Sequence, residues 1–253
     1  GLEYCGTAFH GWQSQRGGGT VQDALERALA AIAGGPVPVV CAGRTDAGVH
    51  ATAQVVHFDA PVVRPLTAWV RGVNSHLPAG VAVRWAQPVA GEFHARYSAR
   101  GRRYRYLLVN RPQRLGLWEG RAGWHHAPLA LDAMQGAAAQ FLGQHDFSAF
   151  RAAECQARSP VKTLWQADVR QFGDWFVFDF TASAFLHHMV RNLVGTLVYI
   201  GKGVRSVDWA TELLAAKDRR LAAPTFSADG LYFRGPIYDK QWGLPEPEDH
   251  DFP

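Results

Sequence analysis

The sequence predicts an α+β protein whose two similar halves join through one continuous, mostly antiparallel sheet. Two observations carry this reading. Short runs of β-branched or alternating residues, bounded by glycine and proline turns, recur from Leu2 to Phe233, and helical apolar stripes interrupt them in both halves. No short repeat links the halves, but each mixes strands with helices.

Taken in order, Gly1-Leu2-Glu3-Tyr4 already reads as strand. Thr20-Val21-Gln22-Asp23 forms a capping box, after which Val21, Leu25, Leu29 and Ile32 recur at helical spacing until Gly34-Gly35-Pro36 stops the helix. Val39-Val40 leads into the glycine-bounded run Gly43 to Ala51, and Val55-Val56-His57-Phe58 follows, which gives a strand, a tight loop and a second strand. Pro65 to Leu77 predicts a short helix, and Val81 to Trp85 a strand. In Arg102 to Val109, alternation puts Tyr104, Tyr106 and Leu108 on one strand face and Arg103 and Arg105 on the other.

The second half opens near Leu129 with a helix through Met134, Ala138, Phe141 and Leu142. Strands near 162–170 and 175–182 follow, joined by a turn at Phe172-Gly173-Asp174. A doubled apolar stripe from Phe185 and Leu186 through Met189, Val190, Leu193, Val194, Leu197 and Val198 predicts one more helix, and Leu231-Tyr232-Phe233 closes the fold as a strand. The expected division is an N-terminal half of residues 1–110, a C-terminal half of 111–242 and an acidic tail of 243–253, which is expected to be flexible.

With 253 residues, 47% hydrophobic and 19% charged, the chain is long and apolar enough to bury a core, which argues against disorder. Its formal net charge is +4, and the four carboxylates of Glu246, Glu248, Asp249 and Asp251 leave the rest of the chain with +8. A body this basic suits a polyanionic partner. Three cysteines, Cys5, Cys41 and Cys155, are an odd number without a Cys-x-x-Cys pair, so neither a disulfide framework nor a zinc knuckle is expected, and a reducing cytoplasm is. The apolar stretch Phe185 to Ile200 is broken by His187, His188, Arg191 and Asn192 and is not expected to span a bilayer. No signal peptide is visible, and an opening without methionine in strand-like sequence leads to the expectation that a few residues of the first strand precede Gly1.

The most telling stretch is Gly43-Arg44-Thr45-Asp46-Ala47-Gly48-Val49-His50-Ala51, which holds a base and an acid two residues apart between glycines. An isolated Arg-Thr-Asp is more often an Asx-type turn with a surface ion pair. The full string resembles the signature loop of the tRNA pseudouridine synthase A family, whose catalytic residue is the aspartate. Other segments resemble the same family: Gly6-Thr7 to Gly11-Trp12-Gln13, Phe93-His94-Ala95-Arg96, Arg103-Tyr104-Arg105-Tyr106, Gly143 to His145-Asp146-Phe147, and Ala184 to Asn192. Together they run through nearly the whole chain in order. Two residues depart from the family pattern: Cys5 stands where members commonly have aspartate, and Ala53 where glycine usually precedes Gln54-Val55.

The resemblance implies a pseudouridine synthase fold and isomerisation of uridine at positions 38 to 40 of the tRNA anticodon stem-loop. The base detaches from C1′ through N1 and rejoins through C5. Asp46 would be the nucleophile or base that releases uracil, with attack at C1′, attack at C6 and glycal formation all left open. Tyr104 matches the position that stacks on the flipped base and assists removal of the C5 proton. Tyr106 shares its strand face and is expected in the core, an assignment that rests on the motif alone. Arg191, a charge among apolar stripes, is the candidate cation that keeps Asp46 ionised against desolvation, its alternative being a helix-edge arginine that snorkels to water. Arg44 is a substrate-binding candidate, for the phosphate backbone or for the space a flipped uridine leaves.

Arg96, Arg100, Arg102, Arg103, Arg105, Arg111 and Arg114 appear between Phe93 and Trp118 with no Asp or Glu, and are expected to form a basic RNA-facing surface. The alternative is a solvated sheet face. His125-His126 and His187-His188 lack a third ligand at metal spacing and read as structural or RNA-facing. Gly17-Gly18-Gly19 lacks the Lys-Ser/Thr of a phosphate loop. The expected catalyst is therefore protein alone, with no cofactor and no metal, and the resemblance implies that it acts on tRNA as a homodimer away from membranes. Two rivals differ in class. A non-catalytic tRNA-binding protein or RNA chaperone is opposed by the joint presence of Asp46, Tyr104 and Arg191, and an RNA hydrolase by the lack of a second carboxylate or histidine pair for leaving-group work.

Overall fold

The computed structural model describes Gly1 to Pro247, so the rest of the acidic tail, expected to be flexible, lies outside the described residues. In chain order the strands are β1 (Leu2–Tyr4), β2 (Val40–Cys41), β3 (His50–Gln54), β4 (Val56–His57), β5 (Val81–Val83), β6 (Ala99–Asn110), β7 (Gly123–His125), β8 (Gly143–Asp146), β9 (Val161–Phe172), β10 (Trp175–Ala182) and β11 (Leu231–Tyr238). The α-helices are α1 (Val21–Ala33), α2 (Val73–His76), α3 (Leu131–Ala139), α4 (Met189–Gly201) and α5 (Trp209–Ala216).

Two compact units result. Among the described residues, one holds Gly1–Arg100 and 232–247, and the other holds Gly101–Leu231. This differs from a division at residue 110, and strand pairing is the reason. The strand bearing Tyr104 is bound to β10 along its length, from Trp175 opposite Val109 to Ala182 opposite Arg102. The closing strand instead returns to the first unit, where β11 lies parallel to β3.

In the first unit the strand order is β5-β1-β3-β11, and β1 runs antiparallel to both of its neighbours. A short antiparallel ladder of β2 and β4 stands apart from it. The capping box forms as the sequence predicts: the Thr20 side chain accepts from Asp23 N, and the Asp23 carboxylate accepts from Thr20 N. Gly34, with φ of 78°, ends α1 in the left-handed conformation that an L side chain resists. The buried face of α1, with Val21, Leu25 and Leu29, is the predicted stripe. The helix predicted over Pro65 to Leu77 forms over residues 66–76, with a π-helical turn at Ala68–Gly72 running into α2.

In the second unit β6, β10, β9 and β8 are successive antiparallel neighbours, with β7 parallel to β6. Phe176, Phe178 and Phe180 project from β10 into the core, and Leu193, Val194 and Leu197 of α4 are fully buried. The helix predicted from Phe185 starts only at Met189. His188 takes φ of 61°, which breaks the helical path and leaves Phe185 and Leu186 in the preceding loop. Apolar spacing continued through a segment whose backbone is not helical. Strands that are mostly antiparallel in both units, with helices packed on them, make this an α+β fold, the class the sequence predicts. No helix among the described residues is long and apolar enough to cross a membrane.

Candidate active site

β2 feeds the chain into the loop 42–49, and β3 takes it out, so Asp46 sits on a short connection between a strand of the β2–β4 ladder and a strand of the main sheet. Val49 N donates to Asp46 O at 3.1 Å, which closes the turn. A buried polar network braces the loop from within its own unit. Tyr4 Oη and Thr45 Oγ1 are 2.8 Å apart, Gln54 Nε2 donates to Gly43 O at 2.7 Å, and the same amide lies 3.4 Å from Tyr4 Oη. Gln54 Oε1 accepts from Val55 N, so both ends of this amide are bonded. Burial pushes the Tyr4 phenol well above its ordinary value, and it remains a neutral hydroxyl. Neutral groups thus fix both flanks of Asp46.

The segment from Gly6 to Trp12 is the loop's other brace. Trp12 N donates to Thr45 O at 2.9 Å, and Gly6 N donates to His50 Nδ1 at 3.0 Å. Gly11 has φ of 85°, and a Cβ there would lie 2.8 Å from Thr45 O, so the close approach needs glycine. Asp46 itself is half-buried and Arg44 is exposed. Of the two departures, Cys5 places its thiol 3.4 Å from Thr7 Oγ1, and Ala53 lies opposite Gly235, where a Cβ would come 3.1 Å from the Ala53 methyl. The absent side chain at Gly235 makes room for the alanine.

The second unit carries the other candidates. Tyr104 is half-buried, with its ring edge-on to Phe185 at 5.0 Å between centroids. Tyr106 is fully buried and donates its hydroxyl to Ser227 O at 3.0 Å. Two tyrosines that share a strand face in the sequence therefore have different surroundings. Arg191 is half-buried on α4 and donates through Nε to Phe226 O at 2.8 Å, while Phe226 N donates to Arg191 O. The strand of chain that supplies this carbonyl is clamped in turn: Arg219 donates to Ala223 O, Thr225 Oγ1 and Asn192 Oδ1, and Asn192 Nδ2 donates to Phe150 O.

Arg105 is not part of the expected basic surface. It is buried, and it binds Asp179 through both Nε (2.7 Å) and Nη2 (3.2 Å), while Arg170 reaches the second carboxylate oxygen at 2.7 Å. Arg100 pairs with Asp239. Arg96 and Arg114 are exposed, as a basic surface requires. The His187 and His188 rings lie 4.0 Å apart, tilted by 38°, and His187 N donates to Cys155 Sγ at 3.3 Å.

Sequence reasoning passes over Tyr4, Gln54, Asn192 and Arg219. The available signal is a polar side chain inside an apolar strand or helix, as with Gln54 before Val55-Val56 and Asn192 before Leu193-Val194.

Residues 2–98 and 137–239 match the family model described as tRNA pseudouridine synthase. The chain is 76% identical over 249 residues to the tRNA pseudouridine synthase A of Dechloromonas aromatica (strain RCB), covering 98% of this chain and 95% of the relative. It is 60% identical to the protein of that name from Thiobacillus denitrificans (strain ATCC 25259 / T1), covering 97% and 95%, and 55% identical to the one from Paraburkholderia xenovorans (strain LB400), covering 100% and 94%.

Proposed function

The chain belongs to the tRNA pseudouridine synthase family, and we propose that it isomerises uridine to pseudouridine at positions 38 to 40 of the tRNA anticodon stem-loop, with Asp46 as the catalytic carboxylate. The observation that carries the reading is an accessible acid on an immobile backbone: Asp46 is half-buried between Thr45, tied to Tyr4 and Trp12, and Val49, tied back to Asp46 O. Chemistry that must break and remake a bond at C1′ gains from such a fixed nucleophile, because orientation is set before the substrate arrives.

Tyr104 acts on the flipped base, supported by its half-exposed ring beside Phe185. Arg191 supplies the cation that keeps Asp46 ionised in a water-excluding site, and its Nε bond to Phe226 O restrains the guanidinium. Arg44 meets the RNA backbone; its exposure two residues before Asp46 supports that role. The protein works as a cytoplasmic homodimer without a cofactor, readings that rest on the family resemblance.

Mapping pseudouridine at single-nucleotide resolution in an unmodified tRNA transcript tests the proposal. Product in the anticodon arm with the wild-type chain and none with Asp46→Ala is the expected result. Intact tRNA without pseudouridine after incubation with the wild-type chain would overturn it in favour of a binding protein.

A further inference from the structure

We propose that Tyr97, with His94 stacked on its ring and Arg96 beside it, is a platform on which an unpaired nucleobase of the tRNA stacks. The inference rests on the tRNA-modifying function proposed above and adds a contact outside the residues given roles there.

The first observation is exposure. Tyr97 is 75% exposed, far more than an aromatic that serves the core. The second is that the turn beneath it is rigid. His94 Nδ1 accepts from both Arg96 N and Tyr97 N at 3.2 Å, Ser98 N donates to His94 O at 2.9 Å, and His94 N donates to Ser98 Oγ at 3.0 Å. Tyr238 Oη donates to Ala95 O at 2.6 Å, and buried Phe93 packs edge-on against Tyr238 and Trp242. A turn held at so many points presents its ring with little conformational entropy left to lose on binding.

The third observation is chemical. His94 stacks on Tyr97 at 4.3 Å with an interplanar angle of 29°, and the Arg96 guanidinium carbon lies 5.6 Å from the ring centroid. His94 Nδ1 accepts two backbone N–H groups, which fixes the orientation of the imidazole against the Tyr97 ring. An aromatic face beside an arginine offers a π surface for a base and a cation for the adjoining phosphate, which is the pairing single-stranded nucleic acid uses.

The fourth observation is position. Ala95 N donates to His57 Nδ1 at 3.1 Å, and His57 on β4 pairs with Val40 on β2, the strand that opens into the Asp46 loop. Arg44 and Arg96 both act electrostatically on the Cys41 thiol at the end of that strand. The platform and the catalytic loop are thus anchored to one ladder, and the stacked base belongs to a nucleotide near the target uridine.

The test measures filter retention of an unmodified tRNA transcript by the wild-type chain and by Tyr97→Ala, Tyr97→Leu and Tyr97→Phe. Pseudouridine formation by the wild-type chain is followed on the same transcript, and each variant is sedimented. Expected are a loss of affinity of about ten-fold for Tyr97→Ala and Tyr97→Leu, affinity within about two-fold of wild type for Tyr97→Phe, and unchanged sedimentation. Wild-type affinity in Tyr97→Ala would overturn the platform, as would rescue by leucine. A changed sedimentation coefficient in Tyr97→Ala would also overturn it and assign the ring to a contact between protein copies. If the wild-type chain makes no pseudouridine while Tyr97→Ala still loses affinity, the proposed function falls and the platform stands.

Discussion

Asp46 and Asp179 are both aspartates of sheet-based units, and the protein holds them in opposite ways. Asp179 lies on a strand, buried, with Arg105 bonded to both of its oxygens and Arg170 to one. Asp46 lies on a loop, half-buried, and the groups that fix its backbone are neutral: a phenol, a threonine hydroxyl, a glutamine amide and main-chain N–H groups. A carboxylate gripped by two guanidiniums is committed to the fold, while the backbone of the loop that carries Asp46 is braced by neutral groups.

The largest expected effect separates the two directly. Asp46→Ala should reduce pseudouridine formation by at least about a thousand-fold while changing folding stability by less than about 0.5 kcal/mol, as judged by urea unfolding. Asp179→Ala should do the reverse. Removing it takes from buried Arg105 the carboxylate bonded to its Nε and Nη2, at a cost of about 3 to 5 kcal/mol in unfolding free energy, and the molecules that remain folded should keep their kcat. A loss of kcat at full stability in Asp179→Ala would break the contrast.

The braces come next. Gly11→Ala places a methyl 2.8 Å from Thr45 O at a φ of 85°, and should cost about 1 to 3 kcal/mol together with most of the activity, because the displaced atoms flank Asp46. Gln54→Met removes the bonds to Gly43 O and Val55 N in a fully buried site, and should cost about 2 kcal/mol with a fall in kcat and little change in KM for tRNA. Rescue of kcat by Gln54→Glu is not expected, since a carboxylate at neutral pH cannot donate to Gly43 O.

The smallest effect concerns acid. Burial, and then His94, hold His57 below its ordinary value of 6.5, and its Nδ1 must stay unprotonated to accept from Ala95 N. The unfolded chain therefore binds the proton more readily. This stabilisation is fully present above pH 6.5 and declines as pH falls through the lowered folded-state value, a slope that His57→Gln should flatten in unfolding experiments.

What the sequence makes legible is mostly local. The capping box is written within Thr20 to Asp23, the stop of α1 is Gly34 itself, and the Asp46 loop is bounded by its own glycines. Arg105 illustrates the opposite case. Its partner Asp179 is 74 residues away, so a run of arginines without acids reads as a basic surface even though one member is buried in an ion cluster. The sequence puts Tyr104 and Tyr106 on the same strand face, and what separates them is Ser227 O above one and Phe185 beside the other. Phe185 carries the periodicity of α4 without belonging to it, because the left-handed backbone of His188 is invisible to a count of apolar residues.

The most direct test of the central claim uses the fate of the hydrogen at C5, which must leave when the base rejoins through that carbon. A tRNA transcript tritiated at C5 of uridine is incubated in enzyme excess with the wild-type chain and with Asp46→Asn, which keeps the size of the side chain and removes its charge. The account predicts tritium release by the wild-type chain and none by Asp46→Asn at equal tRNA binding. Release at the wild-type rate by Asp46→Asn would contradict it.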